Sequence, residues 1–325
     1  GMTLFRITIG TSDFTGKRFY TYYDGREITK ENGIYNKQTK TYEPDWYNVT
    51  GNGFSIEKDR EYKIIDTVKK AIDISKEYGV EDEVRFFASS WTPPGWMKKD
   101  TSASKSYKDN ALLLKGGSLK EESIADLAMY YTRYLEEYAK EGIDIYAMTL
   151  QNEPMLEIDY PSCIMSGEQE GKLAVEIKKA VESSKILNEK QKEIKLWAFD
   201  HNPGEAYSYV QKILSVEGAN KALDGIAFHD YSGSLTTMQN VRDQLLNQGE
   251  NKNQTVHLTE RSVWGMAGAN SIITYLRNSA SSYNSWVTML DSNIGKHQWV
   301  GTPDPTMFAR AAGSDNDYWE MPEYY

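Results

Sequence analysis

Residues 123–154 read SIADLAMYYTRYLEEYAKEGIDIYAMTLQNEP, a stretch that holds a helix, a stop, a strand and a candidate reactive acid in succession. Ile124, Leu127, Ala128, Tyr131, Leu135 and Tyr138 recur at helical spacing, so residues 123–141 read as a helix with one buried stripe. Gly142 supplies the C-terminal stop. Residues 143–150 are then almost continuously apolar, the pattern of a strand covered on both faces in a parallel sheet. Glu153 follows at the C-terminal end of that strand, and Pro154 ends the strand and biases Glu153 away from helical dihedrals.

The same alternation repeats outward from this stretch. Further strands are read at 4–9, 84–88, 194–199, 225–228, 255–258 and 285–290, and further helices at 61–78, 170–184, 205–214, 237–246 and 269–277. Neither a G-x-G-x-x-G nor a G-x-x-x-x-G-K-[ST] motif is present. The expected fold is therefore α/β, a (β/α)8 TIM-barrel type rather than a doubly wound nucleotide-binding sheet. Seven strand units are visible where a closed barrel needs eight. The segment 301–325, with Pro303, Pro305 and Pro322, offers one short helix around 307–312 and no eighth strand. The domain reading is a single barrel over 2–325, truncated at both ends, behind a tag remnant at residue 1.

Composition excludes several classes of function. The chain has 325 residues, enough for a proper core without staples, and its lone Cys163 allows no internal disulfide. It has 37 Lys+Arg against 47 Asp+Glu, a net charge of −10, and no basic run longer than two residues, so nucleic acid is not an expected partner. No apolar run approaches the length of a membrane span, and no signal peptide opens the chain. Aromatic residues reach 12% at a mean hydropathy of −0.64, which puts many rings among polar groups, as in a wet, ring-lined cleft.

In barrels of this type the reacting groups sit at the C-terminal ends of the strands. Glu153 is one carboxylate there, and Glu260, which ends the run 255–259 and leads into a glycine-containing loop with Trp264, is a second. Cleaving an acetal needs a proton donor for the leaving oxygen and an anion for the developing oxocarbenium carbon. One carboxyl must then be protonated while its neighbour is ionised. No H-E-x-x-H or similarly spaced Cys/His set accompanies the histidines, so neither a metal nor another cofactor is expected. There is no G-x-S-x-G, and Cys163 has no histidine close in sequence.

A series of motifs in order resembles glycoside hydrolase family 30, the glucosylceramidase-like retaining β-glycosidases. They are Arg6-Ile-Thr-Ile-Gly10-Thr-Ser-Asp13-Phe14, Tyr20-Thr-Tyr22-Tyr-Asp24, Trp91-Thr-Pro93-Pro94-Gly-Trp96, Gly116-Gly117, Gln151-Asn152-Glu153-Pro154, Tyr160-Pro161-Ser162, Asp200-His201-Asn202, His229-Asp-Tyr231 and Thr259-Glu260. The resemblance implies Glu153 as acid/base, Glu260 as nucleophile and Asn152 as the ligand of the sugar 2-hydroxyl. It implies Asp24 on distal hydroxyls of a terminal glucose, Trp91 against the sugar, Trp286 on the last strand as the floor of the first subsite, and Trp96 as packing. Arg6 is expected to steady the nucleophile, with Asp200 and His201 in the supporting loop after the fifth strand. His229 and Tyr231 are expected to line the substrate, with the Tyr231 hydroxyl on Glu260; Asp230 stands where the family often has tryptophan and is expected to alter a substrate wall.

The implied activity is a retaining, exo-acting β-glycosidase on β-linked glucosyl groups, as in glucosylceramides or β-glucans. The pKa of Glu153 is expected to be raised by apolar neighbours and by the anion across the cleft. The implied partner is a carbohydrate or glycolipid; the compartment is left open, secretion being compatible with the family resemblance. The competing reading is an incomplete, non-catalytic member that at most binds carbohydrate, its open barrel edges covered by a partner chain.

Overall fold

The computed structural model describes residues 2–47, 51–248, 253–263, 265–291, 308–310 and 317–321. Seven strands form its main sheet: β1 (Leu4–Thr8), β2 (Arg85–Ser89), β3 (Ile145–Thr149), β4 (Lys195–His201), β5 (Gly225–His229), β6 (Thr255–Glu260) and β7 (Ala280–Tyr283). Each pairs in parallel with its sequential neighbours, and the sheet curls into a half-barrel. Six main helices lie between or beside the strands: α1 (Ile64–Glu77), α2 (Ile124–Lys140), α3 (Gly167–Ser183), α4 (Ala206–Leu214), α5 (Thr236–Gln244) and α6 (Gly265–Arg277). Among the described residues no eighth strand joins the sheet.

The apolar runs become strands because helices cover them. Leu196, Ala198, Ile226, Phe228, Val256 and Leu258 are fully buried with Leu127, Tyr131, Leu173, Ile177, Val210 and Ile213 of α2, α3 and α4 in one core. On the other face Phe87, Ala147, Trp197 and Ala227 form a second, smaller cluster. Trp197 stacks on His257 with ring centroids 3.8 Å apart, and burial pushes the imidazole down to about 3, so it sits there neutral. The Arg6 guanidinium lies 5.9 Å from the Phe87 ring centroid.

Two readings are corrected near the C-terminus. The last barrel strand is Ala280–Tyr283, not 285–290. The sequence Ala280-Ser-Ser-Tyr283 carries no apolar run because β7 is an edge strand, partly exposed, with Ser282 Oγ 2.8 Å from His257 Nδ1. Met289–Asp291 belongs instead to a separate three-stranded sheet with Phe308–Arg310 and Tyr318–Glu320. The helix read at 307–312 is thus overturned at 308–310, where ladder pairing outweighs the helix propensity of the alanines. Met307, Ala311 and Ala312, like Trp264, lie outside the described residues.

The long connection from β1 to α1 is held firmly. Asp59 is fully buried and accepts hydrogen bonds from Tyr20 (2.7 Å), Tyr22 (2.6 Å) and Tyr138 of α2 (2.7 Å). Tyr130 Oη and Arg133 Nε, both on α2, bond Tyr22 N (3.2 Å) and Trp46 O (2.7 Å). On the far side α3 lies hard against α4, since a Cβ at Gly167 or Gly171 would meet the carbonyl of Tyr209 or Ile213 at 2.6 Å.

Candidate active site

The C-terminal ends of β1 to β6 converge on a network built around Arg6. This guanidinium donates to Glu260 Oε2 (2.5 Å), Asp200 Oδ2 (2.8 Å), Asn152 Oδ1 (2.8 Å) and Ser89 Oγ (2.9 Å). Burial pushes its pKa down, but the charges of Asp200 and Glu260 outweigh that and raise it. Asp200, with no exposed surface, also accepts from Thr149 Oγ1 and Thr259 Oγ1, both at 2.6 Å. Burial alone would raise the Asp200 carboxyl; the Arg6 and His229 charges and the donated bonds instead hold it well below the usual carboxylate range.

Glu260 and Glu153 face one imidazole. Tyr231 Oη donates to Glu260 Oε1 at 2.9 Å. His229, fully buried at the end of β5, lies with Nδ1 3.2 Å from Glu153 Oε1 and Nε2 3.1 Å from Asp200 Oδ1 and 3.6 Å from Glu260 Oε2. Burial pushes this imidazole down, yet the surrounding Glu260 and Asp200 charges carry it up to about 10. Glu153 responds in the opposite sense. Burial pushes it up, but the imidazoles of His201 and His229 outweigh burial and bring it to about 2. The direction is thus opposite to the raised Glu153 pKa expected from apolar neighbours: the two imidazoles lower Glu153, while the surrounding carboxylates raise His229.

Backbone conformation aims these groups. Glu153, ahead of Pro154, has φ of +48°, and its N–H donates to the Asp200 carbonyl at 3.0 Å. Phe199 and Asp200 have φ of +77° and +48°, and the ladder between β4 and β5 shifts register there. Such a bulge re-aims a strand-end side chain. His201 Nδ1 is 3.8 Å from Glu153 Oε1, and Tyr160 Oη is 3.5 Å from Glu153 Oε2.

The rings assemble on one side. Trp91 lies under the Arg6 guanidinium at 4.7 Å and beside Trp286 at 5.6 Å, and Trp286 meets Phe14 edge-on at 5.2 Å. Trp286 follows β7 rather than lying in a strand, with its N–H on the Arg261 carbonyl at 3.0 Å. Trp96 donates to Tyr23 O at 3.2 Å inside a packed aromatic group.

Two residues singled out by the resemblance have their hydrogen bonds outside the Arg6 network. Asp24 accepts from Thr21 N (2.6 Å), Thr21 Oγ1 (2.8 Å) and Lys58 Nζ, beside a cleft of about 300 Å³ that it shares with Arg18, Tyr62 and Leu112. None of its hydrogen-bond partners belongs to the Arg6 network. Asp230 turns toward α6, where it accepts from Tyr275 Oη at 2.7 Å, and lies 3.9 Å from Arg261 Nε.

Asp13 was overlooked. Burial first, then the charges of Glu260 and Glu153, raise its carboxyl to about 8, and its buried Oδ1 has no hydrogen-bond partner. The signal was available, because Asp13 follows the C-terminal end of β1 much as Glu153 follows β3. Among the described residues no cluster of three or more His, Cys, Asp or Glu is arranged to hold a metal, and no helix is long and apolar enough to cross a membrane.

The chain matches the sequence model of the glycosyl hydrolase family 30 TIM-barrel domain over residues 1–325. It is 26% identical over 313 residues to endo-1,6-beta-D-glucanase neg1 of Aspergillus fumigatus, covering 92% of this chain and 55% of that protein. It is 26% identical over 240 residues to the lysosomal acid glucosylceramidase of Mus musculus, covering 67% of this chain and 43% of that one. The chain spans about half the length of the curated relatives it matches. Among solved structures, the endo-beta1,6-glucanase BT3312 superposes with a TM-score of 0.75 at 21% identity, over 100% of this chain and 65% of its own, a likeness of fold.

Proposed function

Because the chain belongs to glycosyl hydrolase family 30, we propose that it is the catalytic barrel domain of a retaining β-glycosidase, with Glu260 as nucleophile and Glu153 as acid/base. The observation that carries this reading is the shared imidazole: two strand-end carboxylates, from β3 and β6, both within 3.6 Å of His229. Arg6 and Tyr231 donate to separate oxygens of Glu260 and so fix the orientation of its carboxyl.

In this mechanism the transferable proton starts on His229, whose imidazole the Glu260 and Asp200 charges raise to about 10. As Glu260 bonds to the anomeric carbon its charge is consumed, the field holding the proton weakens, and the proton passes from Nδ1 to Glu153 Oε1 and on to the leaving oxygen. Water then attacks the glycosyl-enzyme, giving its proton to Glu153 and back to His229, while Glu260 leaves as an anion. Asn152, held by Arg6, presents its amide to the sugar, Trp91 and Trp286 provide a platform, and Asp13 takes the distal hydroxyls in place of Asp24.

The substrate favoured is a β-linked glucosyl group, with β-1,6-glucan first because the Aspergillus relative is named for that linkage. The test is turnover of aryl β-glucosides and β-1,6-glucan, with the product anomer followed by NMR. Glu153→Gln and Glu260→Gln should each abolish polysaccharide hydrolysis, and a 2-fluoro glucoside should label Glu260. An inverted product, or a label on another residue, overturns the mechanism; sugar binding without turnover returns the non-catalytic reading.

A further inference from the structure

Glu170 is a buried acid for which the proposed reaction has no use. It lies in the first turn of α3 with no exposed surface, behind the end of β4. Its Oε2 accepts the Phe199 N–H at 2.8 Å, while its Oε1 has no hydrogen-bond partner. Phe199 opens the left-handed pair Phe199–Asp200, where the register with β5 shifts. Non-glycine residues persist in that conformation only where their surroundings over-determine it. The Phe199 N–H would otherwise be a buried donor without a partner.

We propose that Glu170 is a positioning residue of the active site: its carboxyl holds the Phe199–Asp200 bulge in the conformation that delivers the Asp200 side chain to Arg6 and His229 and the Asp200 carbonyl to Glu153. Each link is a direct contact. The Asp200 carboxylate bonds Arg6 at 2.8 Å and His229 at 3.1 Å, and its carbonyl takes the Glu153 N–H at 3.0 Å. The brace stands on a rigid base, because Gly167 and Gly171 let the start of α3 press on α4, and Tyr209 Oη of α4 bonds the Met165 carbonyl at 2.7 Å. Burial first, with the Asp200 charge adding to it, raises the Glu170 carboxyl to about 8. A neutral acid there braces the bulge without setting a second anion behind Asp200. The titratable groups facing it are Asp200 on β4, Tyr209 on α4 and Tyr131 on α2.

This inference rests on the reading of Glu153 and Glu260 as the reacting pair, so its test includes a readout that does not depend on turnover. Glu170→Leu removes the acceptor, and Glu170→Gln keeps an oxygen for the Phe199 N–H. The expected result is a kcat loss in Glu170→Leu on the order of 100-fold, the cost of a small misplacement of reacting groups, with little change in KM. Glu170→Gln should stay within about threefold of the parent. In ¹⁵N NMR of the His229 ring, the titration midpoint should fall at least about one unit further in Glu170→Leu than in Glu170→Gln, because Asp200 has withdrawn. Parental kcat and His229 titration in Glu170→Leu overturn the proposal, and so does equal damage in Glu170→Gln. Should Glu170→Leu not fold, Glu170→Asp, one methylene short of Phe199, is judged by the same two readouts. If the parent itself does not turn over substrate, the assignment of the reacting pair fails and the His229 titration alone decides on Glu170.

Discussion

Replacing Arg6 with methionine removes the guanidinium that Asp200 and Glu260 share, and leaves His229 as the other charge facing them. The guanidinium is 7% exposed, Asp200 is fully buried, and both ion pairs are short, at 2.8 and 2.5 Å. Breaking a buried pair by deleting one partner strands the other charge and costs about 3–5 kcal/mol. For a chain of 325 residues the unfolding entropy is about 0.7 kcal/mol per degree, so the midpoint of thermal unfolding should fall by about 4–7 °C. Acid should reveal the cause. Asp200 is held below its usual range with Arg6 present, so the parent owes it stability that is full above pH about 4 and lost as pH falls toward the lower folded value. In Arg6→Met the Asp200 pKa rises, protonation removes the stranded charge, and acid no longer penalises the variant. The stability gap between variant and parent should thus be widest near pH 7 and shrink below about pH 4. Urea unfolding followed by tryptophan fluorescence across that range measures it. A loss under about 1 kcal/mol at neutral pH, or a gap constant from pH 7 to 3, refutes the account of Arg6 as the neutralising centre.

Three further outcomes are expected. His229 carries stability that is full below pH about 6.5 and is lost as pH rises through about 10, so the parent should weaken between those values and His229→Gln should show a flatter profile in the same urea titration. Asp59→Leu leaves three buried phenols without an acceptor and should cost at least about 3 kcal/mol, while Asp59→Asn, which keeps one acceptor oxygen, should cost less; equal losses by urea unfolding would count against the hydrogen bonds as the source. Asp13→Ala should lower kcat/KM on an aryl β-glucoside by on the order of 100-fold, and Asp24→Ala by less than about threefold; the reverse ranking would restore Asp24 to the sugar site.

Five of the seven barrel strands were legible because burial on both faces leaves an apolar run, as in Leu196, Ala198 and Phe199, and β1, an edge strand only partly buried, was legible from Leu4, Phe5, Ile7 and Ile9. The seventh was not, because an edge strand need be apolar on neither face, and Ser281 and Ser282 look like loop. Both strand-end glutamates were legible from position alone. Their protonation was not: it depends on His229, which lies 76 residues from Glu153 and meets it only through the curl of the sheet. Asp24 was placed at the sugar by the family resemblance, whereas its hydrogen bonds, from Thr21 and Lys58, are local to its own cleft. Glu170 had no signature at all, since a brace to a backbone N–H across two elements follows from where the bulge falls.

The three tyrosines on Asp59 also bear on how the cleft can move. They fasten the connection that carries Asp13 to α2, so its amides at Tyr22 and Ser55 should exchange with solvent deuterium as slowly as those of the helix. That wall is thereby tied to the helical layer. The rim after β5, where Tyr231, Ser232, Gly233 and Ser234 are exposed, is instead tied to the site itself, through Tyr231 N–H on Asn202 Oδ1 at 2.8 Å and Tyr231 Oη on Glu260 Oε1 at 2.9 Å.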